Sequence, residues 1–307
     1  MSVLIVGSLA YDSVASPEGQ VERALGGSAT YGGLSCQFHL GRRGLVNAGI
    51  VGVVGEDFRK EDRSVLSKSG LDLTGLEVAQ GETFRWEGAY QGSMAEAETL
   101  ATHLNVFEHF EPNVPEALRS PSVLFCANLH PLIQQQVMKQ TEPVRLTMLD
   151  SMNLWISIAK DSLLEAMEQA DLVIINDGEV RQLTEDANIV RAMHQLAEQT
   201  STRTLVIKRG EHGVIALHDG SLLALPAYPT AEVVDPTGCG DTFAGALAAH
   251  FAGGDGALTL DELRQGLVHA TVTASFTLER FGTDALQSLT SEDFDVRLKK
   301  YRSMVAG

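Results

Sequence analysis

At 307 residues, with 44% hydrophobic and 21% charged side chains, the chain has the composition of a globular protein, large enough for one big α/β unit or two domains. Its formal charge of −17 excludes a general nucleic-acid binder, which needs clustered Lys and Arg. An anionic small ligand stays open, because backbone amides can hold phosphate against an unfavourable overall field.

No apolar run reaches the roughly 18 residues of a membrane span, and "MSVLIVGSLAYD" carries no basic leader. Cys36, Cys126 and Cys239 lie far apart and offer neither a disulfide framework nor a thiolate zinc site. The expected setting is the cytoplasm, with neither nucleic acid nor membrane as partner.

Taken in order, the chain alternates short β-branched runs with longer helical patterns. "SVLIVG" (2–7) opens it as a buried strand. Residues 12–27, "DSVASPEGQVERALGG", are not helical, and 81–107 holds two alternating β-like pieces without the helix a crossover needs. Both read as insertions into one domain spanning 1–307, forming a small separate sheet over the rim, or else as plain surface hairpins. "SVLFCA" (122–127), "RLTMLD" (145–150), "LVIIND" (172–177) and "TLVIKRG" (204–210) read as further buried strands. Helical lengths at 131–140, 155–169 and 188–200 separate them. That alternation predicts a parallel sheet wrapped by helices, with ligands bound beyond the carboxyl ends of the strands. Asp150, Asn176, Asp177, Arg209 and Asp235 are therefore expected on one rim.

"EVVDPTGCGDTFAGALAAHF" (232–251) predicts a strand at Val233–Val234, a loop over Asp235–Cys239 and a helix from about Gly240 to Phe251. The first turn of a helix has unpaired N–H groups and a partial positive charge. Gly238 and Gly240 let the backbone come close to a ligand, and such a turn gathers donors around an anion. Asp241 falls inside that turn. Beside a bound phosphate a carboxylate is repelled, but as the base for a hydroxyl attacking phosphorus it has a use. The plainer reading makes Asp241 a helix-start acid and the glycines a tight turn. The Walker lysine is missing, and Phe243 stands where a dinucleotide fingerprint needs its third glycine.

"DPTGCGDTFAGAL" resembles the C-terminal signature, D-T-x-G-A-G-D, of the ribokinase-like (PfkB) carbohydrate and nucleoside kinases. "GGSATYGGLSCQFHLG" (26–41) with "GIVGVVGED" (49–57) resembles that family's N-terminal glycine signature. "INDGEV" (175–180) carries its Asn-x-x-Glu motif, and "KRGEHG" (208–213) is similar to its nucleotide loop. The resemblance covers most of the chain and implies a three-layer α/β sandwich with a mostly parallel central sheet and a small β-sheet lid.

It also implies roles. Asp241 would be the base, with the amides of Gly238, Cys239 and Gly240 as an anion hole. Asn176 and Glu179 would organise Mg²⁺ through water. Lys208, Gly210, Gly213, Thr237, Ser275 and Gly282 would border ATP, with a monovalent cation such as K⁺ near Asp235. Asp12, Gly26, Gly27, Thr30, Asp150 and Asn153 would face the acceptor; Asp12 and Asp150 also read as turn or cap residues.

The sequence departs from the family pattern in places. Thr30 or Tyr31 occupies the place of a substrate-facing Asn, and Phe58 and Arg59 lie where a glycine is expected beyond Gly55, so ribose itself is not implied. Cys239 replaces an alanine, and a thiol at a helix start is open to a lowered pKa. Phe84, Trp86 and Tyr90 would stack on a nucleobase, cover a sugar ring, or pack their own sheet. His103, His109 and His130 have no metal-ligand spacing. The expected activity is ATP- and Mg²⁺-dependent phosphorylation of an alcohol on a sugar or sugar derivative. An adenosine-like nucleoside kinase and a silent nucleotide- or sugar-binding sensor are the alternatives. Exposed strand edges in the lid would allow a homodimer.

Overall fold

Strand β1 (Val3–Val6) shows how the main sheet is built: Val3 and Ile5 enter one core and Leu4 and Val6 another. A strand buried on both faces reads as a continuous apolar run, as parallel sheets require. The computed structural model describes residues 2–306. After β1 come β2 (Ala10–Ser16), β3 (Gly19–Gly26), α1 (Ser28–Arg42), β4 (Gly49–Gly55), α2 (Lys60–Lys68), β5 (Asp72–Ala79), β6 (Phe84–Tyr90) and β7 (Ala97–His103). The middle holds β8 (Val123–Cys126), α3 (Pro131–Met138), β9 (Leu146–Asp150), α4 (Asn153–Ile158), α5 (Lys160–Glu168), β10 (Leu172–Asn176), α6 (Asp177–Thr184) and α7 (Ile189–Thr200). The chain closes with β11 (Thr204–Lys208), β12 (Val214–His218), β13 (Ser221–Leu225), α8 (Cys239–Phe251), α9 (Leu260–Thr277), α10 (Asp284–Ser288) and α11 (Ser291–Val305).

Nine strands form one sheet in the order β13-β12-β11-β10-β9-β8-β1-β4-β5. Every neighbouring pair from β11 across to β5 is parallel, and β12 and β13 add an antiparallel edge. The two segments that break the helix–strand rhythm supply a second sheet, β3-β2-β6-β7. The sandwich of helices around a mostly parallel sheet, with a small second sheet, is the expected architecture.

Two local expectations are corrected, and one end of the sheet lies outside the expected strands. Val233–Val234 is not a strand: the N–H groups of Val234 and Asp235 both donate to the Leu278 carbonyl, at 2.7 and 3.1 Å, tying this segment to the end of α9 instead of a sheet. The helix expected over 155–169 is broken at Ala159, whose dihedrals leave the helical region, giving α4 and α5. Strands β4 and β5, punctuated by glycine, complete the sheet at the end that the β-branched runs do not mark.

Helices α1 and α8 pack at glycine. A Cβ at Gly245 would lie 2.1 Å from the Gly32 carbonyl oxygen, and Ser35 Oγ donates to the Thr242 carbonyl at 2.7 Å across the same seam. Away from the sheet rim, His39, His250 and His269 cluster, with ring centroids 5.1 Å apart for His250–His269 and 6.1 Å for His39–His269. Thr273 Oγ1 donates to the His269 carbonyl, so His39 Nε2–H is the donor in its 2.7 Å bond to Thr273. Burial first, and then the neighbouring arginines and histidines, push His250 and His269 down to about 4.

The seam is testable. Gly245→Ala should cost roughly 1–3 kcal/mol, the range for overpacking a tight core. Thermal unfolding should show a lower Tm; an unchanged Tm would mean that the helices separate freely.

Candidate active site

The carboxyl ends of the parallel strands and the small sheet enclose a cleft of about 560 Å³. That lies within the usual range for small-molecule sites. Asp12, Gly27, Tyr31, Phe84, Trp86 and Tyr90 line it, as do Asn153, Asn176, Glu179, Thr237, Gly238 and Asp241. Asn128, Met152 and Trp155 extend the wall; Trp155 Nε1 donates to Asn128 Oδ1 at 2.8 Å.

The turn into α8 is built as its glycines suggest. Gly238 is the N-cap at φ 75°, and a Cβ there would meet the Tyr31 ring at 2.4 Å, so position 238 excludes any side chain on two counts. Cys239 N–H donates to the Pro236 carbonyl at 3.2 Å, whereas the amides of Gly238 and Gly240 have no acceptor among the described residues. Asp235 is 1% exposed; its carboxylate accepts the Thr237 amide at 2.9 Å and the Gly282 amide at 3.1 Å, fastening the loop that leads into the turn. The Cys239 thiol is pushed well up by burial and by Asp235 and Asp241, opposite to the lowering that its helix-start position suggested.

Asp241 opens onto the cleft from the first turn of α8. Burial and the Asp150 charge raise its carboxyl to about 7, with Lys208 opposing them. Asp12, 5% exposed beside Gly26, is raised to about 7 by burial and by Asp235, with the nearby Gly27 backbone opposing them. Burial likewise raises Glu179 to about 7 against the pull of Lys208. The Asn-x-x-Glu motif is the capping box of α6. Glu179 N–H donates to Asn176 Oδ1 at 2.8 Å, Asn176 N–H to Glu179 Oε2 at 2.8 Å, and Asn176 Nδ2 to Glu179 Oε1 at 2.7 Å.

Other expected residues stand behind or outside the cleft. Lys208 and Asp150 bond each other, Nζ lying 3.0 and 2.8 Å from the two carboxylate oxygens, and neither lines the wall. Burial opposes the Lys208 charge, but Asp150 and Glu179 outweigh it and keep the ammonium protonated. Thr30 is buried without lining the cleft. Gly210 and Gly213 form the turn from β11 to β12, at φ 52° and 82°, outside the cleft. Ser275 is buried in α9, bonded to the Val272 carbonyl and to Arg297. Asp177 pairs with Arg181 at 2.6 Å. His130 caps α3, and among the described residues no cluster of His, Cys, Asp and Glu gathers metal-ligand spacing. Tyr31, not Thr30, joins Ser28 as an α1 residue at the wall. The spacing after the paired glycines allowed either, and only packing decides between them.

A parallel sheet with a helix-start amide turn and a carboxylate in a cleft at its carboxyl rim is an arrangement for handling phosphate next to a proton acceptor. The class is a small-molecule phosphotransferase of the α/β type. Residues 1–289 match the pfkB family carbohydrate kinases, and the chain belongs to that family, whose members are phosphotransferases with alcohol acceptors.

Among curated relatives, it is similar to a cytidine kinase of Thermococcus kodakarensis, 28% identical over 261 residues, covering 83% of this chain and 90% of that one. Among solved structures it resembles the nucleoside kinase of Burkholderia thailandensis in complex with inosine, with a TM-score of 0.78 at 19% identity, covering 98% and 99% of the two chains. It also resembles the aminoimidazole riboside kinase of Salmonella enterica complexed with aminoimidazole riboside and an ATP analog, with a TM-score of 0.74 at 18% identity over 96% and 99%. Among the described residues no helix is long and apolar enough to cross a membrane.

The Lys208–Asp150 pair supports the rim beneath Asp241 and Glu179. Lys208→Met should destabilise the fold by about 3–5 kcal/mol, because it strands a buried carboxylate. Adding Asp150→Asn should recover much of that loss in urea unfolding; an equally unstable double variant would show that packing, not charge, governs the site.

Proposed function

We propose that this protein transfers the γ-phosphoryl group of ATP to an alcohol of a sugar or sugar derivative, with Asp241 as the base. The observation that carries the reading is the Asp241 carboxylate on the cleft wall, in the same helical turn as the unpaired amides of Gly238 and Gly240. The acceptor oxygen attacks phosphorus, the bond to the leaving phosphate oxygen breaks, and Asp241 takes the hydroxyl proton. The two free amides meet the negative charge gathering on the transferring group.

Asn176 and Glu179 fit Mg²⁺ held through water. They offer hard oxygen donors at the cleft, and each Glu179 oxygen accepts only one N–H within the box, which leaves lone pairs for water. The metal would supply charge neutralisation to the phosphates. A monovalent cation at Asp235 finds less support, since that carboxylate is buried and does not line the cleft. The small sheet acts as a lid in this reading, with Phe84, Trp86 and Tyr90 above the acceptor.

A nucleoside acceptor is the second reading. It is favoured by aromatic side chains along the wall, among them Phe84, Trp86, Tyr90 and Trp155, the kind of surface on which a base stacks. The likeness to a cytidine kinase and to inosine-bound and riboside-bound kinases leans the same way. ATP consumption with ribose, fructose, adenosine, inosine and cytidine separates the two.

Asp241→Asn should keep ATP binding and lose roughly 10²–10⁴ in kcat, the size of a general-base contribution. Full turnover by that variant would remove Asp241 from the role. With Asp12, Glu179 and Asp241 all raised to about 7, the wild-type rate should carry an acid limb near pH 7. A protonated carboxyl cannot accept the hydroxyl proton, so kcat/KM should fall as pH drops below that value, and the apparent pKa belongs to the coupled set. A flat profile down to pH 5 would contradict this. Trp86 and Trp155, the two tryptophans of the chain, both face the cleft, so emission in a Trp155→Phe background should change when a turned-over acceptor binds.

A further inference from the structure

Behind Asp12 the small sheet is fastened to the core. β2 places Asp12 on the cleft face and Tyr11 on the opposite one, and β6 places Phe84 and Trp86 on the cleft face with Arg85 behind. Asp12 and Trp86 are register partners, as are Tyr11 and Arg85. The rear residues are held by one segment of the core, residues 57–62, which links β4 to α2 and enters that helix. The Tyr11 hydroxyl donates to Asp62 Oδ2 at 2.9 Å and accepts the Arg59 N–H at 2.8 Å. Asp57 makes the widest connection. Its Oδ1 accepts the Thr83 N–H and hydroxyl, both at 2.7 Å, and its Oδ2 accepts from Arg23 Nη2 at 2.9 Å and Arg85 Nη2 at 3.4 Å. Burial raises the Asp57 carboxyl, but the Thr83 bonds first and the two arginines after them outweigh it, so the group stays ionised.

Arg23 sits at an irregular point of β3. Asp12 pairs with Ala24 but Val14 with Val21, so Ser13 opposes two residues, Glu22 and Arg23, in a β-bulge. Arg23 takes φ 50°, a left-handed conformation that suits glycine better than a residue with a side chain. Its N–H donates to Ser13 Oγ at 3.2 Å, and its carbonyl accepts from Arg59 Nη2. A strained residue persists where its surroundings over-determine it, and bulges beside active sites re-aim side chains. Exposed ion pairs add little stability, and the Arg23 side chain is 45% exposed, so stability alone does not account for the arrangement.

We propose that Asp57 is a positioning residue that, through Arg23 and Arg85, sets the small sheet so that Asp12 and Trp86 face the alcohol substrate. The identity of that substrate rests on the kinase reading; the fastening does not. Asp57 does not line the cleft. Its hold on Arg23 fixes the bulge next to the Asp12–Ala24 pair, and its hold on Arg85 fixes β6 one residue from Trp86.

Asp57→Asn is the discriminating variant, because its amide oxygen still accepts both Thr83 donors while its NH₂ group meets the two guanidinium groups. Amide hydrogen exchange of the full chain should accelerate at least about tenfold in β2, β3 and β6 and stay unchanged in β8 to β11. With the best acceptor among ribose, fructose, adenosine, inosine and cytidine, its KM should rise at least about tenfold while KM for ATP holds. Asp57→Glu, which restores the charge, should recover part of both effects. Arg23→Gly keeps the dihedral that the bulge needs and removes the tie. It should also raise the acceptor KM, and the double variant should show less than the product of the two single effects. A merely structural defect lowers the active fraction, so kcat falls with KM unmoved and exchange rises in both sheets. That pattern would overturn the proposal, as would unchanged exchange in the small sheet or an acceptor KM that does not move. If no acceptor in the panel is turned over, the exchange pattern alone decides. Full turnover by Asp241→Asn would sink the base assignment and leave the Asp57 comparison readable.

Discussion

The contact on which the rest depends is the seam between α1 and α8, where Gly245 meets the Gly32 backbone with no room for a methyl group. Two helices that come this close carry their N-termini to the same cleft: Gly27 caps α1, Gly238 caps α8, and both line the wall. Each N-terminus carries a partial positive charge; the first amides of α1 are taken by Ser8 and Gly27, whereas Gly238 and Gly240 keep theirs free among the described residues. Their convergence brings two partial positive charges to one cleft in a chain of strongly negative net charge. Asp12 and Asp241 approach the same space from β2 and α8.

Those carboxylates sit uneasily there, and the structure restrains them in two ways. Lys208 supplies one fixed positive charge behind the wall, held by Asp150 and felt by Glu179 and Asp241. Hydrogen bonds hold two others in place: Asp235 through two amides and Glu179 through its box with Asn176. Stability and reactivity pull against each other at such a site, because groups poised near neutrality are poorly solvated ones.

The parallel core was legible because strands buried on both faces are long β-branched runs, and β8 to β11 follow them within a residue or two. The turn into α8 was legible because glycine, proline and a helix-start acid punctuate it. What local pattern could not supply was long-range pairing. Lys208 and Asp150 are 58 residues apart, and nothing near either says that they would neutralise each other. Val233 and Val234 look like a strand, but the end of α9 takes the backbone bonds that a sheet would have taken. The same limit applies to Tyr31: an aromatic residue in a helix full of small ones reads as core, and its unpaired hydroxyl is visible only once α8 lies over it.

The histidine cluster on the far side of the seam gives the molecule two opposite answers to acid. His250 and His269 titrate near 4 in the folded chain and near 6.5 when free, so falling pH favours unfolding through that window and loosens α9 from α1 and α8. The carboxylates of the cleft bind protons in the folded chain first, from about 7 downward, and mild acid relieves their mutual repulsion. Acidification therefore relieves repulsion at the cleft while it costs stability at the histidine cluster on the opposite flank, and the two effects meet along α8, which carries both Asp241 and His250.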